Sequence, residues 1–251
     1  MGALRRARAR ACGWSLSSSD LAGHRRAWPV VERRAAPSVL HGEVPDPGGQ
    51  RLVCVCVPLA PAVVIGSAQP ATDFDAERLD AAGLELVRRR SGGGAVLVAP
   101  GRQVWLDVFV PTGDVLSQAD VGKSFYWLGD VFAEAVAGVL GHSGGSARVE
   151  VNRGPTQSSP WSKVLCFSGL GAGEVTVAGR KVVGMSQRRE RSGSWIHAMA
   201  VVGGRGGDLA ELLSGSADRR SEARAALAET GLSDAEDLIG PLTEELLGHL
   251  P

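Results

Sequence analysis

Charge of neither sign is in excess. The chain of 251 residues holds 27 Lys and Arg against 27 Asp and Glu, a formal net charge of +0 at pH 7. A nucleic-acid binder draws much of its affinity from a basic surplus that neutralises phosphates, so this balance argues against nucleic acid as a partner. Long apolar runs are also missing. Residues 52–65 come nearest, and Pro58 and Pro61 break them well short of a bilayer-spanning helix, which leaves no membrane partner to expect. Cysteine is scarce. Cys12, Cys54, Cys56 and Cys166 do not make a secreted disulfide framework, and Cys54-Val55-Cys56 lacks the second pair and the histidines of a zinc site. Reduced thiols, no metal held by protein ligands and a cytoplasmic location are therefore expected. Residues 1–26 carry one acid, Asp20, beside Arg5, Arg6, Arg8, Arg10, Arg25 and Arg26, and no apolar stretch suited to a secretory signal. They read as a disordered extension or an upstream start, ahead of an Arg-rich transit peptide, and the fold is expected to begin near Trp28.

Periodicity outlines a strand-rich centre. Pro and Gly mark 37–49 as a loop, and 52–57 reads as a buried strand with Cys54 and Cys56 on one face as small core residues. Residues 61–66 give a further strand. A short helix is expected over 72–82, capped by Thr72 or Asp73 and stopped by Gly83. Val104, Leu106, Val108 and Val110 alternate with Trp105, Asp107 and Phe109, the pattern of a half-buried strand. Phe125, Leu128, Val131 or Phe132, Ala135 and Val139 indicate an amphipathic helix over 120–140. Its start, Val121-Gly122-Lys123-Ser124, resembles part of a phosphate-binding P-loop, but Ser117 stands where that signature requires glycine. A Gly/Ser loop surrounds His142. Strands are expected at 148–151, 164–167, 174–177, 180–185 and 195–202, with a polar loop holding Trp161 before the second and a hairpin turn at Ala178-Gly179. Beyond Gly203 the pattern turns helical over 208–229. A last segment follows, opened by a Ser233/Glu236 capping box and interrupted by Pro241.

One stretch combines fixed positive charge with bare backbone: Val87-Arg88-Arg89-Arg90-Ser91-Gly92-Gly93-Gly94-Ala95-Val96. The guanidiniums and the glycine amides suit an anionic ligand with an apolar tail, since glycine lets a ligand approach the main chain with no Cβ in the way. The same residues also describe a β-hairpin with a Gly-rich turn and a solvated Arg edge, paired with the strand at 103–110. Both readings stand on these residues alone.

A second stretch adds Gly179-Arg180-Lys181-Val182-Val183-Gly184-Met185-Ser186-Gln187-Arg188-Arg189, and a third Val63-Val64-Ile65-Gly66-Ser67-Ala68-Gln69. Together, in this order and spacing, they resemble the catalytic domain of the biotin/lipoate protein ligase family, on its lipoate side, over residues 63–202. The resemblance implies an α+β fold, a mixed β-sheet with packed helices over 27–205, and a small C-terminal helical appendage over 206–251. It implies an enzyme that activates lipoate or octanoate with ATP as an acyl-adenylate and passes the acyl group to a lysine of a lipoyl carrier domain. Carriers of this kind occur in 2-oxoacid dehydrogenases and as the glycine cleavage H protein. Lys181 matches the family's essential lysine. Arg88, Arg89, Ser91, Gly92, Gly93, Gly94, Ala95, Val96, Gln69, Gly184, Ser186 and Gln187 match its substrate- and nucleotide-binding positions. Mg2+ is implied only with ATP, because the ion would neutralise phosphate charge. Without the motif around it, Lys181 would read as an exposed hairpin lysine.

Cys166-Phe167 opens an alternative. Some members of the superfamily use no ATP and carry octanoyl from acyl carrier protein on a cysteine, in one branch within a Cys-Phe pair some fifteen residues before the Gly-x-Lys segment. A Cys166 thiolate near Lys181 and the arginines would be a competent acyl acceptor; a buried strand cysteine would be inert. A non-catalytic protein that holds lipoate or a nucleotide is a third reading. The chain departs from the family in places. Ala99-Pro100-Gly101-Arg102 replaces a His or Tyr, an Asp and Gly-Asn; His197-Ala198 replaces His-Gly; and the segment from Gly169 to Glu174 replaces an Asn-Asp element. Arg188, Arg189 and Arg191 suit either a docking face for an acidic carrier or a solvated loop.

Overall fold

The computed structural model describes residues 28–142, 147–203, 206–228, 230–232 and 238–251. The extension expected over 1–26, Cys12, the far side of the loop after His142 and the Ser233/Glu236 capping box lie outside the described residues. In chain order the strands are β1 (Val30–Ala35), β2 (Leu52–Pro58), β3 (Ala62–Ile65), β4 (Glu85–Arg88), β5 (Val96–Val98), β6 (Gln103–Pro111), β7 (Val149–Val151), β8 (Val175–Val177), β9 (Arg180–Arg189) and β10 (Gly193–Val201). The helices are α1 (Pro37–Gly42), α2 (Ala76–Ala82), α3 (Tyr126–His142), α4 (Gly206–Glu211), α5 (Ala217–Leu227) and α6 (Ile239–Gly248).

Two sheets stack. The larger runs β1-β2-β6-β10-β9-β8-β7, antiparallel except for the β1/β2 pair, and the smaller runs β4-β3-β5. On β6, Val104, Leu106, Val108 and Val110 face α3 and α6, packing with Leu128, Phe132, Val136, Leu242 and Leu246. Trp105 and Phe109 face the other way, with Cys54, Cys56, Val64, Val87 and Leu40 between the two sheets. Val63, Ile65, Leu165 and Phe167 meet Leu79, Leu209, Leu213 and Leu227 beyond the small sheet. The result is layered: helices, large sheet, small sheet, helices. β6 is therefore buried on both faces along nearly its whole length, where alternation alone suggests a half-buried strand. Its second apolar row is Trp105 and Phe109.

The Arg/Gly stretch is not a hairpin. β3 lies between β4 and β5, parallel to the first and antiparallel to the second, so the glycine loop arches over the end of β3. The strand at 103–110 pairs in the other sheet instead. Gly66 permits the arch, because a Cβ there would run into the Gly93 carbonyl.

Several local expectations shift for identifiable reasons. Within 37–49 sits helix α1, since Pro37 occupies a first-turn position where its missing N–H is not needed. The helix near 72–82 begins at Ala76: Asp75, not Thr72 or Asp73, caps it by accepting from Arg78 N–H, and Gly83 ends it in the left-handed region. Residues 164–167 are no strand; Leu165 makes one bridge to Ala95, and Cys166–Ser168 is a 3-10 turn. The helix expected over 208–229 splits where Gly215 takes a φ of 100° and Ser216 caps α5. Pro241 lies in the first turn of α6, which it fits without interrupting. Val121-Gly122-Lys123-Ser124 leads into a 3-10 turn (Lys123–Phe125), held by Asp120 accepting from the Lys123 N–H. After α5, Gly231 donates its N–H to the carbonyl of Lys181 at 2.9 Å, which ties the end of α5 to the lysine strand.

Candidate active site

Between the sheets lies a cavity of about 180 Å3. Loop residues Thr156, Gln157 and Ser162 stand at one side, and Val64, Trp105 and Met199 at the other. Of the residues singled out in the sequence, it brings together Arg89, Gly92, Gly93, Gly94, Val96, Cys166, Lys181, Gly184 and Ser186.

Lys181 is almost wholly buried. Its ammonium lies 2.6 Å from Glu174 Oε2 and donates to the carbonyls of Cys166 at 2.8 Å and Gly169 at 3.0 Å. It also sits 5.0 Å from the centre of the Phe167 ring. Glu174 is fixed in turn, accepting from Met185 N–H at 2.9 Å and Gly171 N–H at 2.6 Å. The two side chains are each 6% exposed, so this is a buried ion pair with its remaining acceptor positions filled. The exposed-hairpin reading of Lys181 does not hold.

Cys166 is set into the wall by two glycines. A Cβ on Gly94 would lie 2.8 Å from the Leu165 backbone and 2.9 Å from Cys166 N. The bare loop thus lets the Cys166 N–H reach the Ala95 carbonyl at 2.9 Å. On the opposite side a Cβ on Gly184 would approach Cys166 Sγ to 3.5 Å and the Phe167 ring to 3.3 Å. The glycines of both motifs therefore meet the same residue, a half-buried cysteine in a 3-10 turn rather than in a strand.

The arginine pair serves the backbone. Arg89, 5% exposed, donates to the carbonyls of Val64, Gly92 and Gly94, and so braces the glycine loop from beneath. Burial pulls its guanidinium below the usual value, and the negative charge of a Cys166 thiolate would oppose that. Arg88 lies outside the cavity, with Nη1 donating to the carbonyls of Gly66, Ser67 and Gln69. Gln69, Ala95, Ser91 and Gln187 also stand behind or beside the cavity. Gln69 holds Gly66 N–H, Asp73 and the Val164 carbonyl. Ser91 Oγ pairs with Ser186 Oγ at 2.8 Å, and Gln187 meets Ser124 and Arg189. Ala95 faces a second, mostly apolar cavity that shares Val96 and Phe167 with the first.

Sequence reasoning named Asp107 and His197 separately and did not join them into the polar group they form on the large-sheet wall. His197 Nδ1 lies 2.7 Å from Asp107 Oδ1, which also accepts from Trp105 Nε1 at 2.5 Å. Burial pushes the Asp107 carboxyl up, but His197, Trp105 and His41 outweigh it and hold it below the usual range. His41 stacks on Trp105 at 4.5 Å, and burial drives its pKa down to about 3. Cys54 and Cys56 stand behind this group, their thiols pushed up by burial, Cys54 to about 12. The alternation at Trp105, Asp107 and Phe109 was the available signal, since an acid in a buried row needs a partner. Glu174 was missed too, although it falls in the segment that departs from the family. Among the described residues no group of three or more His, Cys, Asp or Glu is placed to hold a metal ion, and no helix is long and apolar enough to cross a membrane.

Two stacked sheets flanked by helices, with a glycine loop and a buried lysine lining one cavity between them, define a domain of α+β class. The chain belongs to the family described as the lipoyl protein ligase A/B catalytic domain, whose model matches residues 36–243. Among solved structures the chain is similar to a bipartite lipoate protein ligase from Thermoplasma acidophilum, studied with its E2 lipoyl domain. That likeness has a TM-score of 0.64 at 15% identity and covers 89% of this chain and 82% of that one. A protein from the same organism with bound lipoic acid matches at TM-score 0.52 and 16% identity, over 87% of this chain and 93% of that one. A lipoate-protein ligase A bound with ATP matches at TM-score 0.52 and 16% identity, over 88% and 94%. No relative is found by sequence among curated proteins.

Proposed function

We propose that this protein transfers a lipoyl or octanoyl group to a lysine of a lipoyl carrier domain, holding it on Cys166 as a thioester. The observation that carries this reading is the placement of Cys166 in the cavity lining, its backbone against Gly94, its thiol against Gly184 and its carbonyl accepting from the Lys181 ammonium. In the first step the Cys166 thiolate attacks the carbonyl of an acyl-carrier thioester. The new C–S bond forms, the donor's C–S bond breaks, and the departing donor thiolate takes up the proton that the Cys166 thiol gave up. In the second step the carrier lysine displaces Cys166 and leaves an amide. Lys181 and the amides of the glycine loop supply fixed positive charge for the oxyanion that develops in each step. Lipoyl domains of 2-oxoacid dehydrogenases or the glycine cleavage H protein are the acceptors, and acyl carrier protein is the donor. The reaction belongs in the cytoplasm.

ATP-dependent ligation is the second reading. The structural neighbours that hold lipoic acid and ATP favour it. That chemistry brings a carboxylate and a triphosphate together with Mg2+. Among the described residues the guanidinium and ammonium groups lining the cavity are Arg89 and Lys181, both committed to protein acceptors, and the one carboxylate, Glu174, is taken up by Lys181. The residues as placed fit a triphosphate and its metal poorly.

The test is the intact mass of an unmodified lipoyl domain incubated with the protein, once with octanoyl carrier protein and once with lipoate, ATP and Mg2+. An octanoyl gain without ATP, lost in Cys166→Ser, supports the thioester route. A lipoyl gain that needs ATP and survives Cys166→Ser overturns it in favour of ligation. Saturable lipoate binding with no mass gain leaves a non-catalytic binding protein.

A further inference from the structure

The cavity between the sheets has a neighbour. The second cavity, of about 240 Å3, lies beside β5, an edge strand of the small sheet, and reaches the end of β10 and helices α4 and α5. Leu97, Val201, Leu209 and Leu227 give it a mostly apolar wall, and its charged residues, Arg102 and Asp208, both have partners. A partly enclosed apolar space suits an alkyl chain. Each buried methylene favours binding about fourfold, while a polar group placed there would give up its hydrogen bonds to water. The transfer chemistry proposed above makes no use of this space.

Two side chains line both cavities, Val96 and Phe167. Val96 is set by the pairing of β5 with β3, opposite Val64. Phe167 follows Cys166 in the 3-10 turn and carries the larger of the two side chains. The point that a Cβ on Gly184 would fill lies 3.5 Å from Cys166 Sγ and 3.3 Å from the edge of the Phe167 ring, so thiol and ring flank one spot. The ring is 8% exposed, with its centre 5.0 Å from Lys181 Nζ. An acyl group held on Cys166 therefore begins beside the ring that parts the two cavities.

We infer that Phe167 determines acyl-chain length: its ring closes the acyl site at medium-chain length, and the second cavity is the alkyl site that a long-chain tail enters once the ring is removed. This deepens the acyl-transfer reading above and rests on it for the loading measurement. The far side of the first cavity, at Val64, Trp105 and Met199, is the competing limit on length, so Met199 supplies the comparison. Leu97 lines the second cavity and not the first, so a larger side chain there fills the one space without entering the other.

The test follows the loading of Cys166 by intact mass with octanoyl, decanoyl, dodecanoyl and tetradecanoyl carrier protein. It compares wild type, Phe167→Ala, Phe167→Leu, Met199→Ala, and Phe167→Ala combined with Leu97→Trp. Loss of a buried ring leaves a cavity that weakens the fold, so the milder leucine variant runs beside the alanine one and unfolding curves check each protein. Calorimetry with octanoate and tetradecanoate reads binding without the covalent step. Wild type is expected to load octanoyl at least about tenfold faster than tetradecanoyl, a ratio that two buried methylenes already exceed. Phe167→Ala is expected to remove or invert that preference, Phe167→Leu to shift it part of the way, and Leu97→Trp to restore it. An unchanged ranking in the folded Phe167 variants overturns the inference. So does a gain in long-chain loading that survives Leu97→Trp, or one that Met199→Ala produces and the Phe167 variants do not. If wild type loads no acyl group, the acyl-transfer reading falls and calorimetry decides the inference: tetradecanoate binding gained in Phe167→Ala and lost with Leu97→Trp upholds the alkyl site, and its absence overturns it.

Discussion

Lys181 and Glu174 form an ion pair of 2.6 Å with both side chains 6% exposed, in the wall of the cavity that Cys166 also lines. Their hydrogen bonds to Gly171, Met185, Cys166 and Gly169 make the pair a scaffold for the 166–174 loop as well as a source of charge. Removing one partner leaves the other charge buried and alone, which costs about 3–5 kcal/mol in comparable settings. Glu174→Ala is accordingly expected to lower the unfolding free energy by about that amount in urea titration and to abolish acyl transfer. An unfolding midpoint equal to wild type would show that the pair contributes nothing net.

The glycines of the loop are not equivalent. Gly94→Ala drives a Cβ into the backbone of Leu165 and Cys166, whereas at Gly92 nothing lies within 4 Å of the added atom. Overpacking against backbone costs about 1–3 kcal/mol, so Gly94→Ala should destabilise the protein on that scale and slow thioester formation by moving Cys166. Gly92→Ala should be close to silent. Equal effects in the two variants would mean that the approach of the loop to Cys166 is not what Gly94 provides.

The thiols are expected to separate by reactivity. Cys54 and Cys56 are 0% and 2% exposed with thiol pKa values raised by burial, while Cys166 lines an open cavity. Iodoacetamide at mildly alkaline pH should modify Cys166 and spare Cys54 and Cys56, as read by peptide mass mapping, and octanoate should slow the reaction. Alkylation of Cys54 at the rate of Cys166 would contradict the assigned environments.

His41 should make stability depend on acid. Burial lowers its folded pKa to about 3, against about 6.5 for a free imidazole, so below pH 6.5 the unfolded chain binds a proton that the folded one refuses. Stability contributed by the neutral ring is present above pH 6.5 and is lost as pH falls from there towards 3, by up to about 1.4 kcal/mol per pH unit. Asp107, with its folded pKa held low, acts in the same sense only at the bottom of that window, as pH falls below the range of a free carboxylate and then through its own value. The slope between pH 6 and 4.5 should flatten in His41→Phe, and an unchanged slope there would place the acid sensitivity elsewhere.

Local pattern carried the parts of the site that sequence neighbours define. The glycine run, the Ala178-Gly179 turn and the spacing of Cys166 from Lys181 were legible because each rests on a few consecutive residues. What sequence could not show was partnership across distance. Nothing in Arg88 and Arg89 says that their guanidiniums serve backbone carbonyls, because their acceptors depend on β3 lying between β4 and β5. A strand inserted between two others twenty or more residues later leaves no local trace. The Asp107–His197 contact joins residues 90 positions apart through strand register alone. The Cys166 turn, apolar enough to read as a strand, is shaped by the glycines and carbonyls packed around it.

The amide of Gly231 bonds to the carbonyl of Lys181. The groups lining the cavity lie between His41 and Met199 in the chain, yet the backbone of its lysine is held from a residue far nearer the C-terminus. A polypeptide emerging from the ribosome therefore exposes every cavity residue before it can clamp the lysine strand, and domains tend to fold as whole units once their sequence is out. A chain that stops short of Gly231 keeps the pairing of β9 with β8 and β10 and lacks this one further bond to the carbonyl of Lys181.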